Sequence, residues 1–147
     1  MRNLSFQCMF VSLLLLGAMS AVAESDSNKA KNQMIVKIGQ ETFAATLADN
    51  ATATAFKAML PLKLNMEDVN ANEKVASLPA KLPTNDANPK RIEAGDLLIW
   101  TSRSLVLFYK SFSTSYSYTK LGRINDAAGL AAAVGSGNVT ATFGLKH

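Results

Sequence analysis

From Met34 to Phe143 strand-like stretches of five to seven residues are separated by segments rich in Gly, Pro, Asn, Asp and Ser. Runs of that length suit β-strands and leave little room for long helices. MIVKI (34–38) and TFAATL (42–47) flank Gly39-Gln40 and read as a hairpin. KLNMED (63–68) alternates like a strand, and KVASL (74–78) reads as another. Three strong strands follow: LLIWT (97–101) after Gly95-Asp96, LVLFY (105–109) after a tight turn at Ser102-Arg103, and YTKLGRI (118–124). NVTATF (138–143) is the last strand. Two segments have helical signals instead. Asp49 and Asn50 precede an apolar-rich stretch ended by Pro61, with Ala55, Phe56, Met59 and Leu60 on one face. Asp126 opens a second stretch, 126–134, stopped by Gly135. Residues 79–92, with Pro79, Pro83 and Pro89, read as a loop. The order ββαβββββαβ predicts a mainly β fold: a closed eight-stranded barrel whose ends two short helices cover.

The N-terminus follows different rules. Arg2 and Asn3 precede a nearly continuous apolar run from Leu4 to Ala18, and Ala21-Val22-Ala23 supplies small residues before Glu24. This pattern predicts a signal peptide over 1–23, cleaved between Ala23 and Glu24, and so an exported protein, periplasmic or secreted. The apolar core is shorter than the ~20 residues of a spanning helix, so no membrane association is expected after cleavage. Cys8 is not placed for lipid attachment. Cleavage would take the formal net charge from +4 to +3 and leave no cysteine, so the domain must rest on its core alone. Residues 24–33 are polar without apolar period and are expected to form a disordered lead-in to a domain spanning 34–147.

Several chemistries are excluded on inventory. Scattered basic residues, with Lys90-Arg91 the longest run, argue against a nucleic-acid partner. With no cysteine beyond Cys8 and His147 as the sole histidine, no nucleophilic triad can be assembled. Asp68, Asn70 and Asn72 imitate the start of a calcium loop. Glu73 stands where a glycine is required and Pro79 where a glutamate is required, so no metal is expected. Gly135-Ser136-Gly137 lacks a strand-to-helix phosphate loop and reads as a connection. No cofactor motif is present.

SFSTSYSYTKLGRI (111–124) carries the main candidate surface. In a strand Tyr116, Tyr118 and Lys120 share one face, while Leu121 and Ile124 cannot both face the core under strict alternation. A bulge near Gly122 is therefore predicted.

The strand order, Leu60-Pro61, Gly95-Asp96, Phe108-Tyr109 and the Tyr118-to-Gly122 stretch together resemble the bacterial cyclophilin-like family. The likeness spans 34–143 and implies the cyclophilin barrel. It also implies where an isomerase would keep its groups. A cyclophilin's arginine falls at Lys63 here, and its histidine, four residues before the barrel glycine, falls at Tyr118. Lysine lacks the planar fork of arginine. Trp100 lies on the Gly-Asp strand rather than after the aromatic one. The resemblance places a ligand groove along Met66, Glu73, Trp100, Phe108, Tyr109, Tyr116 and Tyr118; the competing reading is an exterior aromatic cluster that merely packs strands. Glu73-Lys74 is also a candidate for presenting charge to a ligand. The function expected is a non-catalytic, monomeric module that binds a peptide or small molecule. The alternatives are a divergent peptidyl-prolyl isomerase and an accessory domain of an exported flavodoxin-type redox system.

Overall fold

A computed structural model describes residues 26–147 of the chain. The chain divides into a leading unit ending at Lys31 and a barrel unit, Asn32–His147. The proposed signal segment lies outside the described residues. Residues 26–31 are helical and exposed, where the polar composition predicts a disordered lead-in. No helix among the described residues is long and apolar enough to cross a membrane.

The barrel unit contains β1 (Gln33–Ile38), β2 (Glu41–Leu47), α1 (Ala51–Lys57), β3 (Leu62–Val69), β4 (Glu73–Ser77), β5 (Arg91–Ile92), β6 (Asp96–Trp100), β7 (Ser104–Phe108), β8 (Phe112–Ser113), β9 (Thr119–Ile124), α2 (Leu130–Val134) and β10 (Val139–Leu145). Eight of the strands close a barrel in the order β1-β10-β3-β4-β7-β6-β9-β2, and every ladder is antiparallel. Closure leaves none of these strands with a free edge, which removes the usual route to edge-to-edge aggregation. The remaining two strands, β5 and β8, form a separate two-stranded sheet. Sequence patterning misses them because two residues carry no period.

Alternation sorts the barrel's side chains. Along β7, Leu105 and Leu107 point inward, while Val106 and Phe108 join a second apolar cluster on the outside. β6 does the same with Leu97 and Ile99 against Leu98. The predicted bulge is present: Leu97 pairs with Gly122 but Leu98 pairs with Lys120, so Leu121 is the extra residue. That insertion lets Leu121 and Ile124 both reach the core although they are three apart.

The two helices cover opposite mouths, as the ladder registers require. α1 follows the end of β2, and α2 follows the end of β9, which runs antiparallel to β2. Asn50 caps α1 by accepting from the Ala53 amide at 2.7 Å. Phe56 is fully buried and meets Phe143 edge to face, 6.2 Å between centroids. Thr52 and Ala53 are buried with it, while Ala55, Met59 and Leu60 pack at the core's margin. α2 is shorter than the 126–134 stretch suggests. Its N-cap is Gly129 at φ +80°, and Asp126 instead accepts from the Ala128 amide in the preceding turn.

Candidate functional site

The predicted groove residues divide between three places: the barrel interior, its outer wall and, for Glu73, the start of β4 beside Lys74. Met66 is fully buried inside the barrel, in phase with Leu64 on β3, and faces no groove. Tyr109 also turns inward, because it shares the phase of Leu105 and Leu107. Phe108, Tyr118, Trp100 and Tyr116 do assemble, on the outer wall.

That outer cluster is a chain of rings. Phe108 contacts Phe112 and Tyr118, each at 5.7 Å, and Trp100 contacts Tyr118 at 5.4 Å and Tyr116 at 5.7 Å. Phe108 is fully buried at its base, covered in part by β8 through Phe112. Trp100 is 39% and Tyr116 62% exposed, so the solvent end of the chain is apolar and open. Burial is the main cause that raises the Tyr118 phenol above its ordinary value, so it stays neutral.

Beside Tyr118 lies a groove of about 320 Å³. The loop before β5 overhangs it with Asn85, Ala87 and Pro89, and β6 and β9 form its floor. The overhang is held at several points. Thr119 accepts from the Asn85 amide at 2.9 Å and donates to Asp86 at 2.6 Å. Ala87 and Tyr118 exchange two backbone hydrogen bonds. Thr52 donates to the Pro83 carbonyl at 2.7 Å, and Leu82 is buried in the barrel core. Backbone satisfied in this way makes the groove preformed.

The bulge also determines which charges the groove contains. Under strict alternation Lys120 and Arg123 would face opposite sides of β9. With Leu121 inserted, both line the groove with Leu98, Asp96 and the bare backbone of Gly122 between them. Neither cation makes a side-chain hydrogen bond or ion pair among the described residues. Asp96 has a structural duty: its Oδ2 accepts from the Glu93 amide at 2.8 Å, closing the turn at Gly95. Sequence reasoning predicted the bulge but not its consequence for Lys120 and Arg123; the spacing of Leu121 and Ile124 contained that signal.

The α2 mouth holds a different cluster. Lys74 is in phase with Ala76, points into the barrel and is fully buried. Its ammonium donates to Asp68 Oδ1 at 2.8 Å, the Gly135 carbonyl at 2.8 Å and the Gly137 carbonyl at 2.6 Å. All three protons are thereby used, and Lys74 has none to offer a ligand. The expectation that Lys74 presents a charge outward is therefore corrected by strand phase. Tyr109 donates to the same Asp68 oxygen at 2.6 Å. The Lys74 and Tyr109 hydrogen bonds hold the Asp68 carboxyl below the usual range. Burial and the Asp68 carboxylate push the Tyr109 phenol up to about 12. Glu73 is half-buried; burial raises its carboxyl, against a hydrogen bond from Asn70. This cluster ties β3, β4 and the segment after α2 together.

The isomerase positions do not assemble. Lys63 is on the outer face of β3, and Tyr118 immediately precedes β9. In the closed order β3 and β9 are four strands apart in either direction, so the two residues project from opposite sides of the barrel. No group of three or more His, Cys, Asp or Glu among the described residues is placed to hold a metal ion.

A family model described as the cyclophilin-like family matches residues 36–144. No curated protein matches the chain. The solution structure of a hypothetical protein from Archaeoglobus fulgidus is similar in fold, with a TM-score of 0.55 at 15% identity, covering 80% of this chain and 97% of that one.

Proposed function

Because this chain belongs to the cyclophilin-like family, we propose that it is a family member that binds a ligand without transforming it, in the preformed groove beside Tyr118. The observation that carries this reading is the pinned overhang of residues 85–89 above two exposed cations, neither in a close ion pair among the described residues, and apolar lining. A pocket of this size with a few convergent polar groups is the usual form of a small-ligand site. The ligand class is a peptide segment or a small molecule.

Catalysis of prolyl isomerisation is not part of the proposal. It requires a fixed donor at the prolyl amide next to an aromatic pocket, and electrostatic placement is commonly the largest catalytic contribution. Lys63 and Tyr118, on opposite sides of the barrel, do not supply that pair. We also propose export, with the mature chain starting at Glu24, on the strength of Ala21 and Ala23 after the apolar run.

The test is a thermal-shift screen of the mature protein against peptides and small metabolites, with hits mapped by amide chemical shifts. Shifts centred on 85–89, 98 and 118–123 support the reading; a hit mapping elsewhere rejects the groove. Robust turnover of Xaa-Pro peptides that disappears in Lys63→Ala rejects the non-catalytic reading. Intact mass of the exported protein checks cleavage, and a product retaining Met1 rejects it.

A further inference from the structure

The groove's chemistry narrows the ligand. Its lining contains two cations, Lys120 and Arg123, against one carboxylate, Asp96, which is engaged at its own turn. Both cations are exposed at the rim and neither makes a side-chain hydrogen bond or close ion pair among the described residues; Glu93, already paired with Arg91, is near enough for the Arg123 charge to help hold its carboxyl down. Arg123 offers a planar fork suited to a carboxylate, and Lys120 a point charge. Leu98, Ala87, Pro89 and the Tyr118 ring supply apolar surface within the same lining. Gly122 lies in the lining between the two cations. A volume near 320 Å³ suits a compact molecule.

The same fold disfavours an extended peptide. Binding a peptide as an added strand needs a sheet edge with free N–H and C=O groups. Both β6 and β9 are paired on each side within the closed barrel, and Ala87 and Tyr118 already satisfy each other across the overhang. A ligand therefore cannot be held as an added strand, and its recognition falls chiefly to side chains.

We propose that the groove binds a small organic carboxylate with an apolar or aromatic body, its anionic group between Lys120 and Arg123 and its body against Leu98 and Tyr118. This rests on the reading of the groove as a ligand site and specifies what enters it.

The experiment uses a set of small aromatic and aliphatic carboxylates, phenylacetate and benzoate among them, each paired with its neutral primary amide. Binding to the mature protein is followed by amide chemical shifts. The expected result is that carboxylates shift residues 85–89, 96–98 and 118–123 and bind at least tenfold tighter than their amides. Lys120→Ala and Arg123→Ala should each weaken them at least tenfold. Lys63→Ala, which removes a cation from the opposite wall, should change nothing. Both cations are exposed, so the variants should keep the wild-type spectrum outside the groove. If carboxylate and amide bind the groove equally, or Lys63→Ala weakens binding as much as Arg123→Ala, the anion assignment fails while the groove remains a ligand site. If neither member of any pair shifts the groove, the carboxylate assignment fails, and the peptide and metabolite screen separately decides whether the groove is a ligand site.

Discussion

Gly122 of β9 lies directly against the backbone of Thr46 in β2, with the Thr46 carbonyl oxygen where a Cβ would be. Leu47 pairs with Gly122 at the same point, and the Leu121 bulge immediately precedes it. The close approach of the two strands and the inward turn of Leu121 are thus one local arrangement.

Gly122→Ala should cost about 1–3 kcal/mol, because a methyl group must push β2 away from β9. Chemical denaturation measures it. An unchanged midpoint would mean that the strands separate without penalty and that the bulge does not depend on the glycine.

Phe56→Ala should cost about 3–5 kcal/mol, since it deletes a fully buried ring packed on Phe143 and leaves a cavity under α1. A loss below 1 kcal/mol in urea would place α1 away from the barrel mouth.

The polar plug at the other mouth gives stability a pH signature. Asp68 has a lowered carboxyl in the folded protein, so its contribution is complete above its ordinary value of 3.8 and is lost as pH falls through the lowered one. Glu73 has a raised carboxyl, so its penalty is relieved as pH falls through that raised value towards 4.5. Stability should therefore first rise and then fall on acidification. Glu73→Gln should abolish the rise, and Asp68→Asn should reduce the fall. An acid limb identical in wild type and Asp68→Asn contradicts the assignment.

Lys74→Ala should clearly destabilise the protein, because it empties a fully buried site and removes the one donor shared by the Asp68 carboxylate and the Gly135 and Gly137 carbonyls. Tyr109→Phe should cost less, because it removes only one hydrogen bond, to a carboxylate that solvent also reaches. Equal losses in thermal or urea unfolding would reject this ranking.

Asn70 and Ala71 both have positive φ, 55° and 54°, in the turn between β3 and β4. Alanine in the left-handed region is strained, and glycine is not. Ala71→Gly should therefore stabilise the protein by about 0.5–1 kcal/mol, after the extra unfolded-state entropy of glycine is offset. Destabilisation in the same denaturation assay would mean that the turn carries no such strain.

Period-two alternation and turn residues are local signals, so the eight barrel strands, the Asn50 cap, the Phe56 anchor and the bulge at Gly122 were all legible in the chain itself. Each depends on neighbours within a few residues. Tertiary structure alone decided what lies beside what. The phase that turns Met66 and Tyr109 inward is itself a local signal, set by Leu64 on β3 and by Leu105 and Leu107 on β7. The opposition of Lys63 and Tyr118 follows from the order in which the strands close, to which no local pattern refers. The groove itself exists because Thr52 and Thr119 hold the 79–90 loop across β9, through contacts more than thirty residues apart in sequence. Loops carry no periodicity, so their route is set by such distant hydrogen bonds, and so is the choice of which face of the barrel becomes a site.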